Sequence, residues 1–168
     1  MSGSPATQRA PPAVFEYTAE KMSRRRLTIN LAPKPVMTVT RRAVKARRLV
    51  YIICTPKAQR YPMMRSRVIY IGTTEVGLHR LASSMASKAA DSLSQWGVKY
   101  LEVYAVTCPP RPGLDSWRRL ERDLLVVFKI IYGTVPKANS SGKNFTPDKL
   151  SKVFQYRRLV SVLGEFNE

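Results

Sequence analysis

The chain has 168 residues, 44% of them hydrophobic and 24% charged, which fits one ordinary globular domain with a short appendage. Lys and Arg number 29 against 11 Asp and Glu, a formal net charge of +18. Such an excess opposes compaction by self-repulsion unless a polyanion shares the surface, so nucleic acid is the first partner class that the composition points to. Two cysteines, Cys54 and Cys108, and the single His79 exclude a four-ligand zinc cluster and a disulfide framework. The longest apolar run, Leu49 to Cys54, is far too short to span a bilayer, and the opening MSGSPATQRAPPAV lacks the order of a signal peptide. The expectation is a soluble intracellular protein of cytoplasm or nucleoid, with no membrane partner.

In chain order, residues 1–46 read as a basic, proline-containing arm. Residues 1–48 carry 11 basic and 2 acidic side chains, half of the net charge in under a third of the length. The clusters Arg24, Arg25, Arg26, then Arg41, Arg42, then Arg47, Arg48 suit phosphate contact. Within the arm, Thr28 to Leu31 and Val36 to Thr40 alternate as short strands, which Pro33 and Pro35 restrict to edge pairing.

Residues 47–145 have the texture of a folded domain. The run LVYIIC from Leu49 and the run RVIYIG ending at Gly72 predict two antiparallel strands joined by a long polar loop containing Pro56 and Pro62. Leu78, Leu81, Ala82, Met85, Ala89 and Leu93 then recur at helical spacing, with Thr73 or Thr74 as N-cap. Lys99 to Cys108 returns to period two as a third strand, and Cys54 and Cys108 then end two strands that are candidate neighbours, both as free thiols. Asp115 is placed to cap a second helix with the apolar stripe Trp117, Leu120, Leu124, Phe128 and Ile131, stopped by Gly133. Residues 146–168 form the last segment, where Pro147 opens a basic helix carrying Lys149, Lys152, Arg157 and Arg158. The fold class expected is α+β: a small three-stranded antiparallel sheet flanked by helices.

One charged residue breaks the second helix's pattern. Glu121 follows Trp117 by four and precedes Leu124 by three, which sets its carboxylate within the apolar stripe. A charge there is costly unless a cation meets it, whether Arg118, Arg122 or a metal.

Taken together, Tyr51 in VYI, Tyr70-Ile71-Gly72, Arg80, Glu121 and Asn139 resemble the GIY-YIG nuclease family over about residues 49–143. The first motif lacks the family's glycine, and Ser84 stands where the family usually has histidine or tyrosine one turn beyond the arginine. The resemblance implies a metal-dependent endonuclease that hydrolyses phosphodiester bonds, with DNA as substrate and Mg²⁺ or Mn²⁺ as cofactor. It implies that Glu121 binds the metal, that Arg80 donates to the non-bridging oxygens, and that Tyr51 activates or orients the attacking water beside Tyr70. Asn139 would fix the loop framing the site. Backbone binding would fall to Arg24, Arg25, Arg26, Arg41, Arg42, Arg47, Arg48, Lys88, Arg157 and Arg158. The alternative is a decayed nuclease fold that binds nucleic acid without cutting it. His79, about 100° around the helix from Arg80, reads as an ordinary surface or packed histidine.

Overall fold

The computed structural model describes residues 47–95 and 97–167. The arm's candidate strands, and Arg24, Arg25, Arg26, Arg41 and Arg42, lie outside the described residues. The elements are β1 (Leu49–Arg60), β2 (Arg65–Thr74), α1 (Leu78–Gln95), β3 (Glu102–Val106), α2 (Ser116–Tyr132) and α3 (Tyr156–Gly164), with one 3₁₀ turn at Pro147–Lys149. The strands form one antiparallel sheet in the order β2-β1-β3, so the class is α+β.

The continuous apolar run of β1 follows from its place in the middle. Leu49 through Thr55 are all fully or almost fully buried, because the strand is paired on both edges and covered on both faces. Val50, Ile52 and Cys54 face a large core built with Leu120, Leu124, Leu125, Phe128 and Tyr132 of α2 and Leu159 and Leu163 of α3. Leu49, Tyr51 and Ile53 face the opposite side, where Leu81 and Met85 of α1 pack. The sheet therefore separates α1 from α2 and α3.

Several expectations need correction. The long loop after the first strand is largely strand: β1 runs on through Pro56 to Arg60, leaving only residues 61–64 as the hairpin turn. Pro56 is accommodated because the pairing is irregular there, with Cys54 opposite Val68 and Gln59 opposite Ser66, so no ladder hydrogen bond is asked of its ring nitrogen. Neither Thr73 nor Thr74 caps α1, since β2 extends to Thr74; the Thr74 hydroxyl instead donates to the Gly77 carbonyl. Asp115 stands at the N-cap position of α2 without a side-chain capping bond. Cys54 pairs with Glu102 and Val50 with Val106, so Cys108 lies beyond the far end of β3 and the two thiols are not neighbours.

The C-terminal segment is not one helix from Pro147. Its 3₁₀ turn stops at Lys149, and α3 begins seven residues later at Tyr156. The link between them is tied to α2 by Asp123, which is 1% exposed and accepts hydrogen bonds from the Ser151 backbone and hydroxyl. Leu159, Leu163 and Phe166 are buried in the main core, and the Phe166 carbonyl accepts from the Arg67 backbone at 2.7 Å, covering part of the free edge of β2. Among the described residues no helix is long and apolar enough to cross a membrane.

Because Leu163 is fully buried between α2 and the sheet, Leu163→Ala should cost roughly 2–5 kcal/mol through lost transfer energy and a residual cavity. A shift in the denaturant midpoint of that size checks the assignment of α3 to the core; a surface helix would show almost none.

Candidate active site

The site begins with a spacing irregularity in β2. Ile53 pairs with Tyr70 but Cys54 pairs with Val68, so Ile69 is an extra residue and β2 carries a bulge there. Strict alternation would put Val68 and Tyr70 on one face. The bulge sends Val68 into the α2 core and Tyr70 to the α1 side, onto the face that Tyr51 occupies. The bulged backbone is used elsewhere, since the Ile69 carbonyl accepts from Ala138 at 2.8 Å.

On that face Tyr51 lies directly opposite Gly72. The Tyr51 and Tyr70 rings sit with centroids 5.9 Å apart. A Cβ at Gly72 would stand 2.5 Å from the Tyr70 Cε1 and 2.8 Å from the Tyr51 Cζ and hydroxyl oxygen, so both rings occupy the space that a side chain would need. The glycine is required by close approach rather than by its dihedral angles. The Tyr51 hydroxyl donates to the Ser84 hydroxyl at 3.0 Å, joining the sheet to α1. Lys88, one turn further on, holds its ammonium 5.3 Å from the centre of the Tyr70 ring. Burial, with Tyr51 and Glu121 nearby, pushes the Tyr70 phenol up to about 12.

Asn139 is 5% exposed and acts on the outer edge of β2. Its side-chain oxygen accepts from the Ile71 N–H at 2.9 Å, and its amide donates to the Ile71 carbonyl at 2.8 Å. One side chain thereby replaces a neighbouring strand at the residue between Tyr70 and Gly72.

Beyond Gly72 the chain opens into a cleft of about 480 Å³ lined by Thr73, Thr74, Glu75, Val76, Arg80, Trp117, Arg118 and Glu121. Arg80 reaches it from the exposed side of α1 and Glu121 from α2. The tyrosines stand beside this cleft and not in its lining, although Tyr70 is close enough to feel the charges of both Glu121 and Arg80. Glu121 has no cation within ion-pair distance among the described residues, so the sequence alternatives of an Arg118 or Arg122 salt bridge are not formed. Burial pushes its carboxyl up to about 7, opposed only partly by Arg118. Among the described residues no three His, Cys, Asp or Glu side chains stand together. A hard divalent cation would fit Glu121 as its single protein carboxylate, with water and phosphate completing the shell, and would supply the positive charge this desolvated group lacks.

Residue patterning missed the cation arrangement around Trp117, which lines the cleft. Arg48 stacks its guanidinium 4.5 Å from the Trp117 ring centre, and Arg118 lies 5.8 Å from the same ring. Glu75 contacts both, at 3.2 Å from Arg48 and 3.7 Å from Arg118. Trp117 read as a core stripe residue, and its 6% exposure agrees; what the pattern concealed is that its remaining face supports two cations. Arg157 and Arg158 are exposed at the start of α3, and Lys149 and Lys152 precede that helix rather than sharing it. His79 is exposed on α1. No family model matches the chain, and neither does any curated protein or solved structure.

The ordinary value for a glutamate is 4.5, so between about pH 4.5 and 7 the folded chain binds more protons at Glu121 than the unfolded chain. The contribution of this group to stability is therefore fully present below about pH 4.5 and is lost as pH rises through about 7. Glu121→Gln should remove that dependence and, at pH 8 without metal, raise stability by roughly 1–2 kcal/mol after allowance for solvent screening. Parallel melting curves for both proteins from pH 4 to 8 check this; a variant less stable at pH 8 would reveal an ion pair at Glu121. Gly72→Ala should cost roughly 1–3 kcal/mol by overpacking, and shifts of the Tyr51 and Tyr70 ring signals in NMR spectra would locate the damage.

Proposed function

We propose that the chain is a metal-dependent endonuclease of the GIY-YIG type that hydrolyses phosphodiester bonds in DNA. The observation that carries the reading is the register setting Tyr51 against Gly72, with Tyr70 on the same face and Arg80 and Glu121 on the adjoining cleft. These residues are spread over 70 positions of sequence, and nothing in the packing of a small sheet demands that Arg80 and Glu121 share a cleft beside the two tyrosines.

Phosphodiester hydrolysis needs a positioned water, neutralised charge on the phosphorus centre and a stabilised leaving oxygen. Since the Tyr51 hydroxyl donates its hydrogen bond to Ser84, its oxygen lone pairs are left to accept a hydrogen bond from an attacking water, so Ser84 orients the phenol that orients the nucleophile, and the water's proton leaves to solvent. Arg80 donates to the non-bridging oxygens as charge accumulates there. Lys88 over Tyr70 adds positive potential on the same side. Asn139 holds the Tyr70-Ile71-Gly72 segment against movement. Mg²⁺ or Mn²⁺ held by Glu121 would polarise the scissile phosphate and stabilise the 3′ leaving oxygen.

A second reading has its own observation. Tyr51 is 2% exposed with its hydroxyl engaged, the Tyr70 phenol is raised to about 12, and no imidazole replaces Ser84 as a base. Those features favour a nuclease-like fold that binds nucleic acid and leaves it whole. Its partners would be the same, met through Arg47, Arg48, Arg157, Arg158 and the basic residues of the arm.

The two readings separate on labelled duplex, single-stranded, branched and RNA substrates with Mg²⁺ and with EDTA. Under the nuclease reading, Mg²⁺-dependent cutting falls about 100-fold in Tyr51→Phe and in Arg80→Ala while affinity changes far less. Glu121→Gln abolishes cutting, keeps binding, and loses any rise in melting temperature that Mg²⁺ gives the parent protein. Cutting at the parent rate by Glu121→Gln would overturn the metal assignment, and binding without cutting on every substrate would establish the second reading.

A further inference from the structure

The hairpin joining β1 and β2 ends in a feature that the proposed chemistry does not use. Pro62, Met63 and Met64 are consecutive and all exposed, Met63 at 69% and Met64 at 46%. Three adjacent apolar residues at a loop tip cost solubility and return little to the fold. The tip is nevertheless held firmly. The Tyr61 N–H donates to the Met64 carbonyl at 2.9 Å, and the Met63 N–H to the Tyr132 carbonyl at 3.3 Å. Beneath it Tyr61 is buried, its hydroxyl bonded to the Val68 carbonyl and its ring 5.1 Å from Phe128. Gly133, at φ 83°, closes α2 directly under the turn, where a Cβ would approach Pro62 to 3.0 Å and Met63 to 3.2 Å. The methionines are thus presented on a pre-ordered support.

Charge identifies the occupant. The last pair of the hairpin sets Arg60 directly opposite Arg65, and like charges across an antiparallel pair repel. Among the described residues neither arginine has an acidic partner, and Lys137 adds a third cation 5.7 Å from the Tyr61 ring. Arg60 to Arg65 together line a recess of about 530 Å³. An apolar point between two guanidiniums that meet no carboxylate, that of Arg65 donating only to the Ala58 carbonyl at 3.0 Å, matches a polyanion with a stacked apolar interior. We propose that this tip is a wedge for duplex nucleic acid: Arg60 and Arg65 straddle the groove on phosphates while Met63 and Met64 enter a base step and unstack it, as apolar side chains of groove-binding proteins do. The proposal rests on the nucleic-acid part of the function proposed above and not on hydrolysis. β2 carries the tip roughly 25 Å from Gly72 at about 3.3 Å per residue, so the wedge and the cleft would touch one duplex at separate places. Sequences with weak stacking, mismatches or lesions would be preferred, since unstacking costs least there.

The test uses the full chain, in EDTA, with short duplexes carrying 2-aminopurine beside a single mismatch, whose fluorescence rises on unstacking. The parent protein should raise the fluorescence on binding. Met63→Ser with Met64→Ser should bind, melt at the parent temperature and lose the rise, while Met63→Leu should keep it. Arg60→Ala and Arg65→Ala should each lower the salt slope of binding by about one. Binding without a rise in the parent, or a rise unchanged in the double serine variant, overturns the wedge and leaves the nucleic-acid reading standing. Absence of binding to duplex, single strand and RNA alike overturns both, whereas absence of duplex binding alone, or methionine-dependent binding to anionic vesicles with no unstacking of a bound duplex, overturns the wedge only. A duplex unstacked here but never cut with Mg²⁺ sustains the wedge and removes the nuclease.

Discussion

In β2 Ile69 is an extra residue between the pairs Ile53–Tyr70 and Cys54–Val68, and the side chains that follow it are displaced to the face opposite the one simple alternation would give them. Tyr70 reaches the α1 side for that reason, and Gly72 then falls against Tyr51, where the absence of a Cβ lets two phenol rings share the space. The cost of the bulge is an unpaired stretch on an edge strand. It is offset by groups from the segment after α2: Ala138 donates to Ile69, and Asn139 bonds both backbone groups of Ile71. The loop, the bulge and the two tyrosines form one mechanical unit, which explains why an asparagine so far along the chain bears on the geometry of β2.

The same economy governs charge. A chain with an excess of 18 positive charges has few carboxylates to spare, and three of the described ones hold specific contacts. Asp123 secures the link before α3, Glu102 meets Arg67 across β3 and β2, and Glu75 joins Arg48 and Arg118 above Trp117. Glu121 alone is half-buried beside the cleft without an ion pair, and desolvation is the dominant influence on its proton. Among the described residues, cations without acidic partners stand at two places on the sheet: Arg80 and Lys88 on the α1 side near the cleft and Tyr70, and Arg60 and Arg65 beside the two methionines of the hairpin tip.

Much of the fold was legible because its elements are specified locally. The run at Leu49, the periodicity from Leu78 and the stripe from Trp117 each give the element found there, since hydrophobic period reports which faces must be buried. Boundaries failed where a tertiary contact overrides a local signal. Pro56 reads as a loop residue but sits in strand, because irregular pairing excuses its missing N–H; Thr74 reads as a cap but remains in β2. Likewise the C-terminal segment read as one basic helix, whereas the bond of Asp123 to Ser151 fixes a break that no residue in the segment announces.

By itself the sequence determined the basic character of the chain, the α+β class, the existence of three strands and three helices within residues 47–167, and the oddity of a glutamate on an apolar stripe. Composition and periodicity are properties of neighbours along the chain, and those facts need nothing more. Only the tertiary structure decided that Tyr70 shares a face with Tyr51, that Arg48 lies on Trp117, that Cys54 and Cys108 stand apart, and that Met63 and Met64 project between two arginines. Each of these depends on strand register, where a slip of one residue reverses every side chain and where the one extra residue at Ile69 is visible only once both strands are paired.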